Sequence, residues 1–125
     1  MAWLPPLDVA LRPILLPILL WQSIGVRRAA LSLPEAAGPR EGHTGSGPKL
    51  RLLIVGDSSA AGVGAQTQSE ALSGRLVKTL APEFSVTWRL IAKPGATCQS
   101  TLEMLEADRA VNSDAFHVAF IELGV

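Results

Sequence analysis

One serine in this chain sits where acyl-transfer chemistry could be done. Ser58 lies in Gly56-Asp57-Ser58-Ser59-Ala60-Ala61-Gly62-Val63-Gly64, directly after the apolar run Leu50 to Val55. An apolar run of that length closed by glycine predicts a buried strand. A serine on the tight turn from a strand into a helix has its hydroxyl exposed, and its own N–H points to where an oxyanion would form. Gly56 permits the sharp turn, and Ala60, Ala61, Gly62 and Gly64 let a substrate or another backbone come close. Gly95, in Lys93-Pro94-Gly95-Ala96-Thr97, offers a second backbone N–H with no side chain in the way. The plainer reading is that Asp57, Ser58 and Ser59 cap a helix and Gly95 permits a turn. Both readings can hold at once.

A serine nucleophile needs a base, and the sequence holds two histidines. His43 stands among prolines and glycines and reads as solvated. His117 falls inside the run Phe116 to Leu123 and reads as a strand histidine packed against a helix rather than a base for Ser58. Cys98 is the single cysteine, so it closes no intrachain disulfide or multi-cysteine zinc set, and with no histidine nearby it reads as a packed or incidental thiol. No cofactor or metal is expected. The phosphate-cradling loop fails because no Lys-Ser/Thr pair closes the glycine stretch, and the dinucleotide fingerprint fails after Gly62-Val63-Gly64.

The elements that position these residues alternate in type. Leu72, Leu76, Val77 and Leu80 recur at helical spacing within 69–80, and Pro82 ends that helix. Phe84, Val86, Trp88 and Leu90 alternate with polar neighbours, which is the period of a strand with one buried face. A shorter helix is predicted over Gln99 to Asp108 with Leu102 and Leu105 inward. The run Phe116 to Leu123 suits a strand covered on both faces. The order is β-α-β-α-β, which predicts an α/β fold: a doubly wound parallel sheet of three strands, with its ligand crevice beyond the carboxyl ends of the strands.

At these positions the chain resembles the SGNH/GDSL hydrolases. Leu53-Ile54-Val55-Gly56-Asp57-Ser58 with Ser59-Ala60-Ala61-Gly62-Val63-Gly64 is similar to the first block of that family, and Gly95 to the glycine of its second. Ile121-Glu122-Leu123-Gly124-Val125 resembles the approach to its third block, Gly-x-Asn-Asp, and stops one residue before the asparagine. The resemblance covers residues 50 to 125. It implies a flavodoxin-like sheet and hydrolysis of carboxylic esters, of lipid or of acylated carbohydrate. Ser58 is then the nucleophile, the N–H groups of Ser58 and Gly95 form the oxyanion hole, and Gly56 and Asp57 support the turn, Asp57 bracing it rather than serving as a triad acid. The family's asparagine, and the aspartate and histidine of its last block, have no counterparts, so the chain reads as an N-terminal part of such an enzyme, inactive alone. A non-catalytic α/β interaction module at a membrane surface is the alternative.

Eleven basic residues balance eleven acidic ones, which argues against nucleic acid as a partner. With 48% hydrophobic and 18% charged residues, the chain should bury a core. Residues 1–33 form an apolar arm. From Pro13 to Val26 no residue is charged, yet the run is too short to span a bilayer and Pro13 and Pro17 interrupt it. Only Arg12 precedes it and Arg27-Arg28 follow, which disfavours a secretory signal, so a cytoplasmic or membrane-associated location is expected over secretion. Residues 9–28 suit the membrane interface or packing on the protein's own surface or a partner. Residues 34–48, with three prolines and four glycines, predict a linker.

Overall fold

The apolar runs pair as the periodicity predicts, with one strand more. The computed structural model describes residues 7–30, 33–113 and 115–124. Residues 1–6, 31 and 32 of the expected arm, and Val125, lie outside the described residues. Two compact units are present, Met1–Leu33 and Pro34–Val125.

In the larger unit, β1 (Glu41–Thr44), β2 (Lys49–Gly56), β3 (Ser85–Ala92) and β4 (Val118–Glu122) form one sheet in the order β1-β3-β2-β4. β2 is parallel to β3 and to β4, whereas β1 is antiparallel to β3, so the sheet is mixed. Four short helices connect the strands: α2 (Ser58–Ala61), α3 (Leu72–Leu80), α4 (Cys98–Ala107) and α5 (Arg109–Ser113). The class is α/β.

Strand alternation sorts the core into two layers. Leu52 and Ile54 of β2, with Val86, Trp88 and Leu90 of β3, point to one face and bury Ala60, Ala61 and Val77 against them, flanked by Leu72, Leu76 and Leu80. Leu53, Val55 and Ile91 point to the other face and pack against Met104, Leu105, Val111 and Phe116. Helices therefore cover both faces of β2 and β3. Ile54, Val55 and Val86 are fully buried, so each contributes roughly 1.5–3 kcal/mol by leaving water.

Three expectations need correction. The stretch 34–48 is not a linker: Glu41–Thr44 pairs along β3 from Arg89 to Val86, and Ala37 exchanges hydrogen bonds with Gln66 and Gln68. Arg40 ties this segment down by donating to the carbonyl of Ala92 at 2.7 Å. Second, Leu102 is 51% exposed, and the inward face of α4 is carried by Met104 and Leu105. Third, β4 is not covered on both faces. Val118, Phe120 and Ile121 are exposed at an edge of the sheet, and β2 is its only strand partner among the described residues.

In the smaller unit, α1 (Leu7–Ala30) runs as one helix through Pro13 and Pro17, where interruption was expected. A proline inside a helix removes a backbone donor and crowds the preceding turn, at about 3 kcal/mol each in water. Side chains from Leu11 to Val26 are exposed all round α1. Among the described residues no helix is long and apolar enough to cross a membrane.

Candidate active site

Three parallel strands end together, and the turn after β2 is fastened to its neighbours on both sides. The Lys93 N–H donates to the Gly56 carbonyl at 3.2 Å, joining the end of β3 to that of β2. The Asp57 N–H donates to the Glu122 carbonyl at 3.2 Å, joining β2 to β4. The connection from β2 to β3 packs on one face and that from β3 to β4 on the other. The reversal therefore falls between β2 and β4, the place where open α/β sheets leave a crevice at their carboxyl ends.

Asp57 holds the turn. Its Oδ1 accepts the Ser59 N–H at 3.1 Å, which makes it the N-cap of α2, and its Oδ2 accepts the Gly124 N–H at 2.6 Å. Capping was the plain alternative for Asp57-Ser58-Ser59, and Asp57 does cap. One carboxylate thus satisfies a helix donor and a donor 67 residues away in sequence. Gly56 is required by contact: a Cβ there would lie 2.4 Å from the Glu122 carbonyl oxygen and 2.5 Å from the Ala60 Cβ. Gly62 ends α2 in the left-handed region at φ 78°, where it donates back to the Ser58 and Ser59 carbonyls.

Ser58 is the first residue of α2 and is partly exposed. Its hydroxyl has no hydrogen-bond partner among the described residues, and its N–H, as the first of the helix, has no intrahelical acceptor. Gly95 follows β3 at φ 73°, the third residue of a turn closed by the Ala96 N–H on the Lys93 carbonyl at 3.1 Å. Pro94 fits the position before it, as in a type II turn, which needs glycine where φ is positive. Nothing lies within 4 Å of where a Gly95 Cβ would stand, so it is the positive φ and not crowding that calls for glycine here. Thr97 then caps α4, with its side chain accepting from the Ser100 N–H at 3.2 Å.

Neither histidine reaches Ser58. His43 lies on β1 opposite Thr87, where Nδ1 is 3.0 Å from the Thr87 hydroxyl and Nε2 3.3 Å from that of Ser85. His43 is exposed but held by these contacts. His117 precedes β4 rather than lying within it, and it is exposed rather than packed under a helix. Its Nδ1 accepts the Arg51 N–H at 2.9 Å, and its own N–H donates to the Arg51 carbonyl at 2.9 Å. Arg51 is at the opposite end of β2, five residues and roughly 17 Å from Gly56. Cys98 is exposed at the start of α4 rather than packed.

Two residues near this region were not singled out by sequence reasoning. Glu122 ends β4, and its Oε2 is buried with no hydrogen-bond partner among the described residues. An oxygen so placed is costly to bury and marks a spot that wants a donor. Gln68, 2% exposed, donates to the Ala36 and Ala61 carbonyls and accepts from the Ser73 hydroxyl at 2.9 Å. It pins the loop after α2 to the strand-like segment before β1. A cleft of about 360 Å³ opens beside it, lined by Gly38, Gly74, Val77 and Trp88, not by Ser58. Among the described residues no cluster of metal-ligating side chains occurs.

Comparison with protein-family models, with curated proteins and with solved structures finds no match to this chain.

Proposed function

We propose that Ser58 is the nucleophile of a serine ester hydrolase of the SGNH/GDSL type, built on a doubly wound, flavodoxin-like sheet and acting on carboxylic esters of lipid or acylated carbohydrate. The observation that carries this reading is a serine hydroxyl with no partner among the described residues, standing after β2 on a turn clamped by Asp57. Asp57 both caps α2 and ties this turn to Gly124 beyond β4, which suits the bracing role the resemblance gives it.

In this reading the Ser58 Oγ attacks the ester carbonyl carbon while a base takes its proton. The N–H groups of Ser58 and Gly95 receive the oxyanion, and collapse expels the alcohol, which recovers the proton from the base. Water then releases the acid from acyl-Ser58 by the same steps. Loss of one oxyanion donor typically lowers the rate about 10²- to 10³-fold. His43 contacts Thr87 and Ser85 and His117 bonds Arg51, so the reading looks for the base beyond these two histidines and expects the chain alone to be inactive.

The test is turnover of p-nitrophenyl butyrate by the 125-residue chain and by the product of the reading frame continued past Val125. Ser58-dependent hydrolysis is expected only from the longer product. If that product keeps its activity as Ser58→Ala, another nucleophile is at work and the reading fails. A stop codon directly after Val125 also defeats it, in favour of a non-catalytic α/β interaction module.

A further inference from the structure

The helix α1 presents apolar side chains in every direction. Ile14 is 66% exposed, Trp21 77% and Val26 68%, with Leu15, Leu16, Ile18, Leu19, Leu20 and Ile24 between them all above 40%. At 100° per residue these positions encircle the helix rather than forming a stripe. A stripe would fit a groove on one side. A helix apolar all round calls for an apolar medium.

Length and charge decide which medium. The uncharged window Pro13 to Val26 has 14 residues, about 21 Å of helix at 1.5 Å per residue. A bilayer core is about 30 Å thick, so a spanning helix would draw a charged end into hydrocarbon. One leaflet accommodates the helix when it lies along the surface within the acyl region, with the long arginine side chains reaching up to the headgroups. The ends match that placement: Arg12 stands just before the window and Arg27-Arg28 just after it, with Arg28 exposed. Cations there complement anionic lipid, and the indole of Trp21 suits the same depth. The Ser23 hydroxyl donates to the Leu20 carbonyl at 2.7 Å, so it needs no partner from water.

We infer that α1 inserts into a single leaflet of an anionic lipid membrane, lying along the surface without crossing it. The partner is the lipid bilayer itself, and the proposal is independent of any chemistry at Ser58.

The test is co-sedimentation of the full chain with vesicles of phosphatidylcholine alone and with 30% phosphatidylglycerol, a composition of roughly physiological charge. Binding is expected to the anionic vesicles and to weaken as salt rises. Leu19→Glu should weaken it about a hundred-fold, as a charge buried in hydrocarbon requires, and Arg28→Gln about five-fold. Leu16→Glu provides a second insertion variant should Leu19→Glu prove insoluble. Folded chain that stays in the supernatant with anionic vesicles overturns the proposal, as does binding indifferent to both glutamates. Failure to bind together with a concentration-dependent dimer that Leu19→Glu abolishes would assign the helix to a second copy of the chain and overturn it equally.

Discussion

The two edges of the sheet are built differently. β1 is four residues long, polar and antiparallel, and its flank is stapled by charge: Arg89 of β3 pairs with Glu41 on β1 and with Asp108 at the junction of α4 and α5. β4 is parallel and apolar, with Val118, Phe120 and Ile121 open to solvent and a bare outer edge among the described residues. A short polar edge does not invite pairing, and an apolar one does. The candidate site lies between β2 and β4, beside the second edge. The β1 side is closed by polar residues and ion pairs, and the β4 side, next to the turn that carries Ser58, presents an open apolar edge among the described residues.

The largest test of this contrast sets Gly56 of β2, which packs against β4, against Gly42 on β1. Gly56→Ala puts a methyl group 2.4 Å from the Glu122 carbonyl oxygen, so β4 must shift away; a loss of about 3 kcal/mol in chemical denaturation is expected. Asp57→Ala removes the cap of α2 and the bond to Gly124 together, with an expected loss of about 2 kcal/mol. Amide exchange should show the Gly124 end of β4 losing protection first. Equal loss along all four strands would mean that Asp57 does not fasten that edge.

The stapled edge should respond to acid. The Arg89 guanidinium, bonded through Nε at 3.1 Å and Nη2 at 2.8 Å, holds the Asp108 carboxyl below its ordinary value of 3.8; partial burial opposes this and the N–H groups of Val111 and Ala110 add to it. A carboxyl lowered on folding lends stability that is present above its unfolded value and lost as pH falls through the folded one. Asp108→Asn should therefore cost about 1–2 kcal/mol at pH 7 and progressively less below pH 3.8, read from urea midpoints across pH. An unchanged difference at low pH would place the effect in packing.

Smaller effects are expected at half-buried Gly42 and exposed Ile121. Gly42→Ala on β1 meets only the Trp88 indole, at 3.1 to 3.4 Å, and should cost about 1 kcal/mol or less, a third of its counterpart at Gly56. Ile121→Lys on β4, where Ile121 is 64% exposed, should leave the midpoint within about 0.5 kcal/mol while raising the concentration at which the protein aggregates. Aggregation unchanged by that lysine would show that the apolar edge is not the sticky one.

Much of this was legible in the residues. Val86, Trp88 and Leu90 alternate and are buried on one face, and Leu72, Leu76, Val77 and Leu80 fall on the inner side of α3, because period follows directly from backbone geometry. Ser58 and Gly95 could be placed because glycine and serine after a strand answer to local turn chemistry. β1 could not. Gly42, His43 and Gly45 argue for a loop, and only β3, more than forty residues later, makes Glu41–Thr44 a strand. Leu102 misled because helical spacing admits more than one inward face, and packing selected the one carrying Met104 and Leu105. Apolarity in β4 predicted burial, but composition states what a strand suits and not what covers it. Glu122 carried no signal, since a carboxylate at a strand end is ordinary until its Oε2 is found without a partner.

The bond from Asp57 to Gly124 also sets an order of events during synthesis. A ribosome delivers the aspartate 67 residues before the glycine that completes its hydrogen bonds. Until β4 has emerged and docked, Asp57 Oδ2 has water in place of the Gly124 N–H, and the turn that carries Ser58 lacks its tie to that strand. The fastening of the turn that carries Ser58 thus waits on a strand synthesised much later in the chain.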